Sequence, residues 1–255
     1  MTYCLGIVTC DGLVVAADSR TNAGVDYIST YRKLYDFSQP GQRAVMLCTS
    51  GNLSITQAVV HLLEQELKTG SADNLHTLPT MYDMACYVGS KIRQIQERDR
   101  PWLERDHIDF SCTCLLAGQV PGEEPELYKI YSQGNCIQAT RETPFLQIGE
   151  TKYGKPILDR ILSYDTSVEA AAKCALLSID STMKSNISVG PPVNLIMYKT
   201  NSFKIHYQLQ LRLGDPYLVG IRKKWELSLR QAFEQMPDLD WDCHTSLPPD
   251  DLYMD

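Results

Sequence analysis

The chain lacks any uninterrupted apolar run of the length a bilayer requires, which for a helix is about 20 residues. Its opening, Met1-Thr2-Tyr3-Cys4, has no basic segment followed by an apolar one. No secretory leader is therefore expected, a cytoplasmic location is, and the first coded residues are expected to begin the mature fold. Positive charge is also scarce. Lysine and arginine total 24 against 31 aspartates and glutamates, a net charge of −7. With no dense basic cluster to offset it, that balance argues against a nucleic-acid partner. Neither an internal repeat at a fixed period nor a low-complexity tract is present, which excludes solenoids and compositionally disordered chains.

The nine cysteines do not form a framework: Cys4, Cys10, Cys48, Cys86, Cys112, Cys114, Cys136, Cys174 and Cys243 are odd in number and scattered. Without an export signal, reduced thiols are the expectation. Cys112 and Cys114 would share one face of a strand and could hold a metal, but no second cysteine or histidine pair lies nearby in sequence. Core thiols are the favoured reading, and neither a metal nor a cofactor is expected.

What is present is an ordinary globular composition. The chain has 255 residues, 44% hydrophobic and 22% charged, enough to bury a core without disulfides or metals. The hydrophobic pattern opens with a hairpin: residues 3–8 are largely apolar, Asp11-Gly12 is a turn pair, and residues 13–17 are apolar again. Residues 43–49 read as a strand. Ser50 or Asn52 can then cap a helix carrying Ile55, Ala58, Val59, Leu62, Leu63 and Leu67 on one face. A polar loop over residues 69–79 leads to Thr80, which caps a second helix with Met81, Met84, Ala85, Val88, Ile92 and Ile95 in phase. Residues 98–109 read as a charged connector. Strands are expected at 110–117, 126–131 and 145–148, helices at 152–162 and 167–184, and strands again at 193–198 and 203–209. Strands in runs and helices in pairs imply two face-to-face antiparallel sheets with a helix pair outside each, an α+β class. A further helical pattern at residues 217–236 ends at Pro237. It defines a C-terminal extension, residues 214–255, beyond a main domain of residues 1–213. Residues 248–255 are acidic and read as a solvated tail.

Four residues carry a possible chemistry. A free N-terminal threonine would place a hydroxyl and an α-amine on one residue, and such an amine titrates at about 7.7–8.0. In its neutral form it can take the hydroxyl proton as general base, directly or through water. A nearby ammonium such as that of Lys33 would lower the amine's pKa and favour the developing alkoxide. Asp18, at the end of the second strand, would aim Lys33, and the hairpin brings residues 2 and 18 together. Gly51, at a strand-to-helix junction, could offer its N–H to an oxyanion. Singly these residues are ordinary: Asp18 a turn residue, Lys33 a surface lysine, Gly51 a hinge. Their order along the chain is the informative feature.

That order resembles a known pattern. Thr2 ahead of an apolar strand, then Gly12-Leu13-Val14-Val15-Ala16-Ala17-Asp18-Ser19-Arg20, Arg32-Lys33, and Ser50-Gly51 with Gln57-Ala58-Val59 resemble proteasome β-subunits. Thr2-Tyr3-Cys4, residues 18–26 and residues 51–57 are similar to Anbu, the bacterial ancestral β-subunit family, and the likeness covers most of residues 2–210. The resemblance implies a four-layer αββα sandwich of the N-terminal-nucleophile type, threonine-type amide hydrolysis and self-assembly into a ring or open helical stack. It implies Thr2 as nucleophile, Asp18, Lys33 and Arg20 as its supports and Gly51 as oxyanion donor. Where β-subunits usually carry a serine in a Gly-Ser-Gly loop, this chain has Gly149-Glu150-Thr151-Lys152, so Glu150 or Thr151 stands in. Asn186 occupies the place of an aspartate, able to hydrogen-bond but uncharged, and Ser188 is the accompanying hydroxyl displaced by one position. Thr21, Tyr31, Thr49 and Leu53 are implied to line the substrate pocket. A non-peptidase amidase or acyl-transfer enzyme on the same fold and a non-catalytic assembly subunit are the alternatives. A cysteine hydrolase using Cys4 is disfavoured, since Cys4 carries no terminal amine.

Overall fold

The computed structural model describes residues 2–22 and 28–241, without the side chains of residues 22 and 28. Met1, part of the 18–26 motif, Cys243 and the acidic residues 248–255 lie outside the described residues.

β1 (Tyr3–Thr9) and β2 (Gly12–Ala17) form the expected hairpin, with Cys4 opposite Ala17 and Thr9 opposite Gly12. Every residue of both strands is buried, because they lie inside the fold with apolar layers on either side. β10 (Phe145–Gly149) flanks β1, while β11 (Val193–Lys199) and β12 (Ile205–Leu211) follow β2. Together they make a five-stranded antiparallel sheet ordered β10-β1-β2-β11-β12. The second sheet, also antiparallel, runs β5-β6-β7-β8-β9 through β5 (Leu34–Asp36), β6 (Ala44–Gly51), β7 (Cys112–Gln119), β8 (Glu126–Ile130) and β9 (Cys136–Gln138). A two-stranded ribbon, β3 (Arg20–Asn22) with β4 (Ile28–Thr30), stands apart.

Three apolar layers hold the sandwich together. Between the sheets, Cys4, Val15 and Ala17 of the first meet Met46, Cys48, Leu115 and Leu127 of the second. Outside the second sheet, α1 (Leu53–Thr69) and α2 (Met81–Arg105) bury Ile55, Val59, Leu63, Met84, Val88 and Ile92. Outside the first, α3 (Lys155–Ile161) and α4 (Val168–Ser185) bury Leu158, Ala171, Ala175 and Ile179. Each fully buried Leu, Ile or Val contributes about 1.5–3 kcal/mol of transfer free energy. Four layers therefore suit a sequence whose sheets are apolar on both faces and whose helices are apolar on one. Cys112 and Cys114 lie buried in the α1–α2 layer as core thiols, and burial pushes the Cys112 thiol up to about 12. Among the described residues, no group of three or more His, Cys, Asp or Glu is placed to hold a metal, and no helix is long and apolar enough to cross a membrane.

The charged connector expected at residues 98–109 is a helix for most of its length, since α2 runs on to Arg105 with Pro101 inside it. Beyond Gln96 the helix leaves the core and its residues are exposed or half-buried. Water can therefore serve the carbonyl that Pro101 leaves without an N–H partner. Arg100 pairs with Glu104 and lies over the Phe110 ring, so the charges that suggested a loop form a solvated helix face. Asn52 rather than Ser50 caps α1, its Oδ1 accepting the N–H groups of Ser54 and Ile55.

α5 (Pro216–Glu234), capped by Asp215, divides its apolar pattern between two environments. Leu218, Ile221 and Trp225 pack against the α4 side of the sandwich, and Arg222 pairs with the buried Asp180. Further along, Leu229, Phe233 and Met236 are exposed.

Candidate active site

The β1–β2 hairpin places the start of β1 beside the residue that follows β2. The Tyr3 N–H donates to Asp18 Oδ1 at 3.0 Å, and the Asp18 N–H returns a bond to the Tyr3 carbonyl at 3.1 Å. Thr2 is thereby held next to Asp18. Lys33 immediately precedes β5, where its carbonyl accepts the Thr49 N–H at 3.0 Å. Its Nζ reaches across to donate to Asp18 Oδ1 at 2.8 Å and also to the Arg20 carbonyl. Both members of this ion pair are buried, with side chains 5% and 0% exposed.

Asp18 collects four donors. Oδ1 accepts from Tyr3 N and Lys33 Nζ, and Oδ2 from Arg20 N and Gly190 N, each at 3.1 Å. Burial pushes the carboxyl above the usual carboxylate range, while the Lys33 ammonium and the backbone N–H groups pull it back. A protonated carboxyl would turn an O–H towards groups that can only donate, so the ring of donors favours the anion. The Lys33 ammonium has three protons. Asp18 and the Arg20 carbonyl take two, leaving one for the cavity that Lys33 lines with Thr2.

That cavity measures about 480 Å³. Thr2, Lys33 and Gly51 lie in its wall together with Thr21, Thr49 and Leu53. Tyr31 does not: it sits 38% exposed, with its N–H bonded to the Ser19 carbonyl. Gly51 closes β6 one residue ahead of the Asn52 cap, so it belongs to the strand end rather than to the first turn of α1. Its φ is +112°, and a Cβ there would meet the Ser111 carbonyl oxygen at 2.3 Å. Gly149 is still tighter: its φ is +82°, and a Cβ would stand 1.9 Å from the Thr2 carbonyl oxygen. Only glycine allows β10 to approach Thr2 this closely.

The accessory residues form a relay behind Thr2. The Thr2 carbonyl accepts the Glu150 N–H at 2.7 Å. Glu150 Oε2 accepts from Asn186 Nδ2 at 3.2 Å, and Asn186 Oδ1 accepts the Ser188 N–H at 2.9 Å. Thr151 contributes its carbonyl to Gln147 Nε2 at 3.4 Å. Arg20 holds this end of α4 through Nη1 to the Ile187 carbonyl at 2.7 Å. Below Thr2, the Tyr3 hydroxyl meets Ser178 Oγ at 2.6 Å and accepts from Gln147 Nε2. Burial pushes this phenol up to about 12.

Arg32 and Thr56 also line the cavity, and the N–H groups of Tyr3 and Gly190 complete the Asp18 ring. Arg32 adjoins Lys33 and Thr56 lies one turn into α1, so both were within reach of sequence reasoning. The backbone donors have no signature in residue type.

Residues 2–197 match the proteasome subunit family. Among solved structures, Anbu from Yersinia bercovieri is 46% identical, with 93% of this chain and 98% of that one covered at a TM-score of 0.88. The Anbu complex from Pseudomonas aeruginosa is 43% identical, covering 94% and 99% at a TM-score of 0.89. A Gly-1 mutant of Anbu from Hyphomicrobium sp. strain MC1 is 42% identical, covering 94% and 100% at 0.87. None of the curated proteins matches. With both the family match and these near-complete likenesses, the chain belongs to the proteasome-subunit family and, within it, to Anbu, the ancestral β-subunit.

Proposed function

We propose that this protein is a threonine-type peptidase or amide hydrolase that works within a homo-oligomer, with Thr2 as nucleophile once Met1 is removed. The observation that carries the reading is the wall of one cavity. Thr2, Gly51 and a lysine ion-paired with a buried aspartate converge there. A threonine that served only packing would have no need of such a lysine.

In the proposed reaction the Thr2 α-amine, neutral in part near pH 7, takes the Oγ1 proton as the oxygen attacks the substrate carbonyl carbon. The Lys33 ammonium favours the neutral amine and steadies the negative oxygen. The Gly51 N–H stabilises the tetrahedral oxyanion. Its collapse expels the amine half of the amide, which leaves with the proton from the α-amine, and the acyl group remains as an ester on Thr2. Water, deprotonated by the same amine, then hydrolyses the ester. Thr21, Thr49 and Leu53 would meet the substrate side chain. Glu150, Asn186 and Ser188 would hold the Thr2 backbone in place. The Pseudomonas aeruginosa relative forms a helical assembly, and a comparable assembly here would confine Thr2 to an interior away from folded proteins.

Turnover of a fluorogenic peptide and amide panel tests the reading. Lys33→Ala leaves Asp18 buried without its counter-charge and should lower the melting temperature. At a temperature where the variant is still folded, it should lower turnover by about 10²–10³-fold, the range for loss of one electrostatic stabiliser. Wild-type rates in that variant would overturn the assignment of Lys33.

A further inference from the structure

Behind the Asp18–Lys33 pair lies a second cavity, of about 410 Å³, between the end of α4, the loop before β11 and the first half of α5. Its floor is apolar, formed by Met183, Val189, Pro191 and Leu218. Its rim is basic. Lys184 pairs with Glu226 and Arg222 with Asp180, which leaves the guanidinium groups of Arg20 and Arg212 without a carboxylate partner among the described residues. The Arg20 guanidinium is bonded to the Ile187 carbonyl, and the Arg212 side chain is exposed. A ligand suited to this cavity carries carboxylates beside a short apolar stretch.

The chain itself contains such a segment. Residues 242–255 include four aspartates and no lysine or arginine, and their last six are Asp250-Asp251-Leu252-Tyr253-Met254-Asp255. Glu226 is the last α5 residue on the cavity wall and the helix ends eight residues later, at Glu234, a rise of about 12 Å. The fifteen residues 235–249 that separate α5 from Asp250 have an extended contour of up to about 50 Å, longer than that rise. A tether of this kind supplies an effective concentration in the millimolar range, enough for modest contacts to fill the cavity.

We propose that residues 250–255 dock in this cavity in cis, with Asp250 and Asp251 against Arg20 and Arg212 and the Leu252-Tyr253-Met254 stretch on the apolar floor. The docked segment touches Arg20, whose carbonyl holds Lys33 Nζ and whose N–H bonds Asp18. Docking therefore steadies the Lys33 support from behind. This consequence rests on the threonine-hydrolase reading, whereas the docking itself does not.

The test uses the full chain with a photo-cross-linking amino acid at position 253, assembled from mixed ¹⁴N and ¹⁵N pools. Cross-links should join position 253 to residues 183–191 or 212–222 within chains of one isotope. The Arg212→Glu substitution, at an exposed side chain, should lower their yield by about tenfold, the loss of one good charge-assisted contact. It should also slow labelling of Thr2 by a β-lactone severalfold, with the melting temperature falling by no more than the loss of that one contact accounts for. Cross-links confined to other regions, or a yield that ignores Arg212→Glu, would overturn the docking. Links only between chains of different isotope would reassign the occupant to a neighbour's tail and overturn the cis assignment. Loss of cross-linking with an unchanged Thr2 labelling rate would overturn the link to the site.

Discussion

Replacing Asp18 by Asn is the perturbation whose effect follows most directly from the structure. Asp18 accepts four donors: the Lys33 ammonium and the N–H groups of Tyr3, Arg20 and Gly190. An asparagine has one acceptor oxygen, and its NH₂ must face two of those donors whichever way the amide is turned. Two buried donors lose their acceptor, at about 1–3 kcal/mol each. Lys33, with its side chain 5% exposed, loses its counter-charge, and breaking one side of a buried pair costs about 3–5 kcal/mol. The two figures overlap, because Lys33 can be among the donors that go unmet. The expected loss is therefore about 3–5 kcal/mol, or a fall in Tm of about 6–20 °C for a domain of this size. Thermal unfolding at fixed protein concentration measures it, since assembly contributes to apparent stability. The double variant Asp18→Asn/Lys33→Met removes the orphaned charge and should recover about 1 kcal/mol or more relative to Asp18→Asn alone. A single variant within about 1 kcal/mol of wild type, or simple additivity in the cycle, would refute the claim that the pair is buried and mutually dependent.

Other perturbations follow from the same geometry. Tyr3 has its phenol raised from 10.0 to about 12 by burial. A group raised in the folded state supports folding below its unfolded pKa and loses that support as pH climbs through the folded one. Wild type should thus shed stability, roughly 3 kcal/mol at most, between pH 10 and 12 that Tyr3→Phe does not shed; parallel alkaline denaturation profiles would contradict this. Gly149→Ala, whose Cβ would stand 1.9 Å from the Thr2 carbonyl oxygen, should displace Thr2 and abolish its reaction with electrophiles, read by mass spectrometry, even if most of the fold survives. Lysine at both Leu229 and Phe233, which are 50% and 79% exposed, should shrink the assembly in light scattering with the circular dichroism unchanged. An assembly of unchanged size would clear that face of an interface role.

The layered architecture was legible because sheets buried on both faces and helices buried on one leave different hydrophobic periods. β3, β4, β5 and β9, of three residues each, are too short for a period to register. The far end of α2 reads as a connector in the sequence because its charges and Pro101 obey solvent rather than the core. Asp18 and Lys33 could be nominated from chemistry and chain order, and the structure brings them to 2.8 Å. The rest of the Asp18 ring comes from main-chain N–H groups, which every residue but proline owns. Glu150 and Asn186 stand out separately in the sequence, and their 3.2 Å bond joins segments 36 residues apart, a pairing that only the fold supplies. In α5 the apolar stripe was visible, but its division into a packed half and an exposed half depends on where α4 ends beneath it.

The most direct test of the central claim is the fate of Thr2 in protein matured in its own host. Intact mass should show that Met1 has been removed. After treatment with an epoxyketone, which needs both a hydroxyl and a free α-amine on one residue, peptide mapping should find a single adduct on Thr2 that is absent from Thr2→Ala. A retained Met1, or an adduct that forms equally on the Thr2→Ala variant, would contradict the account.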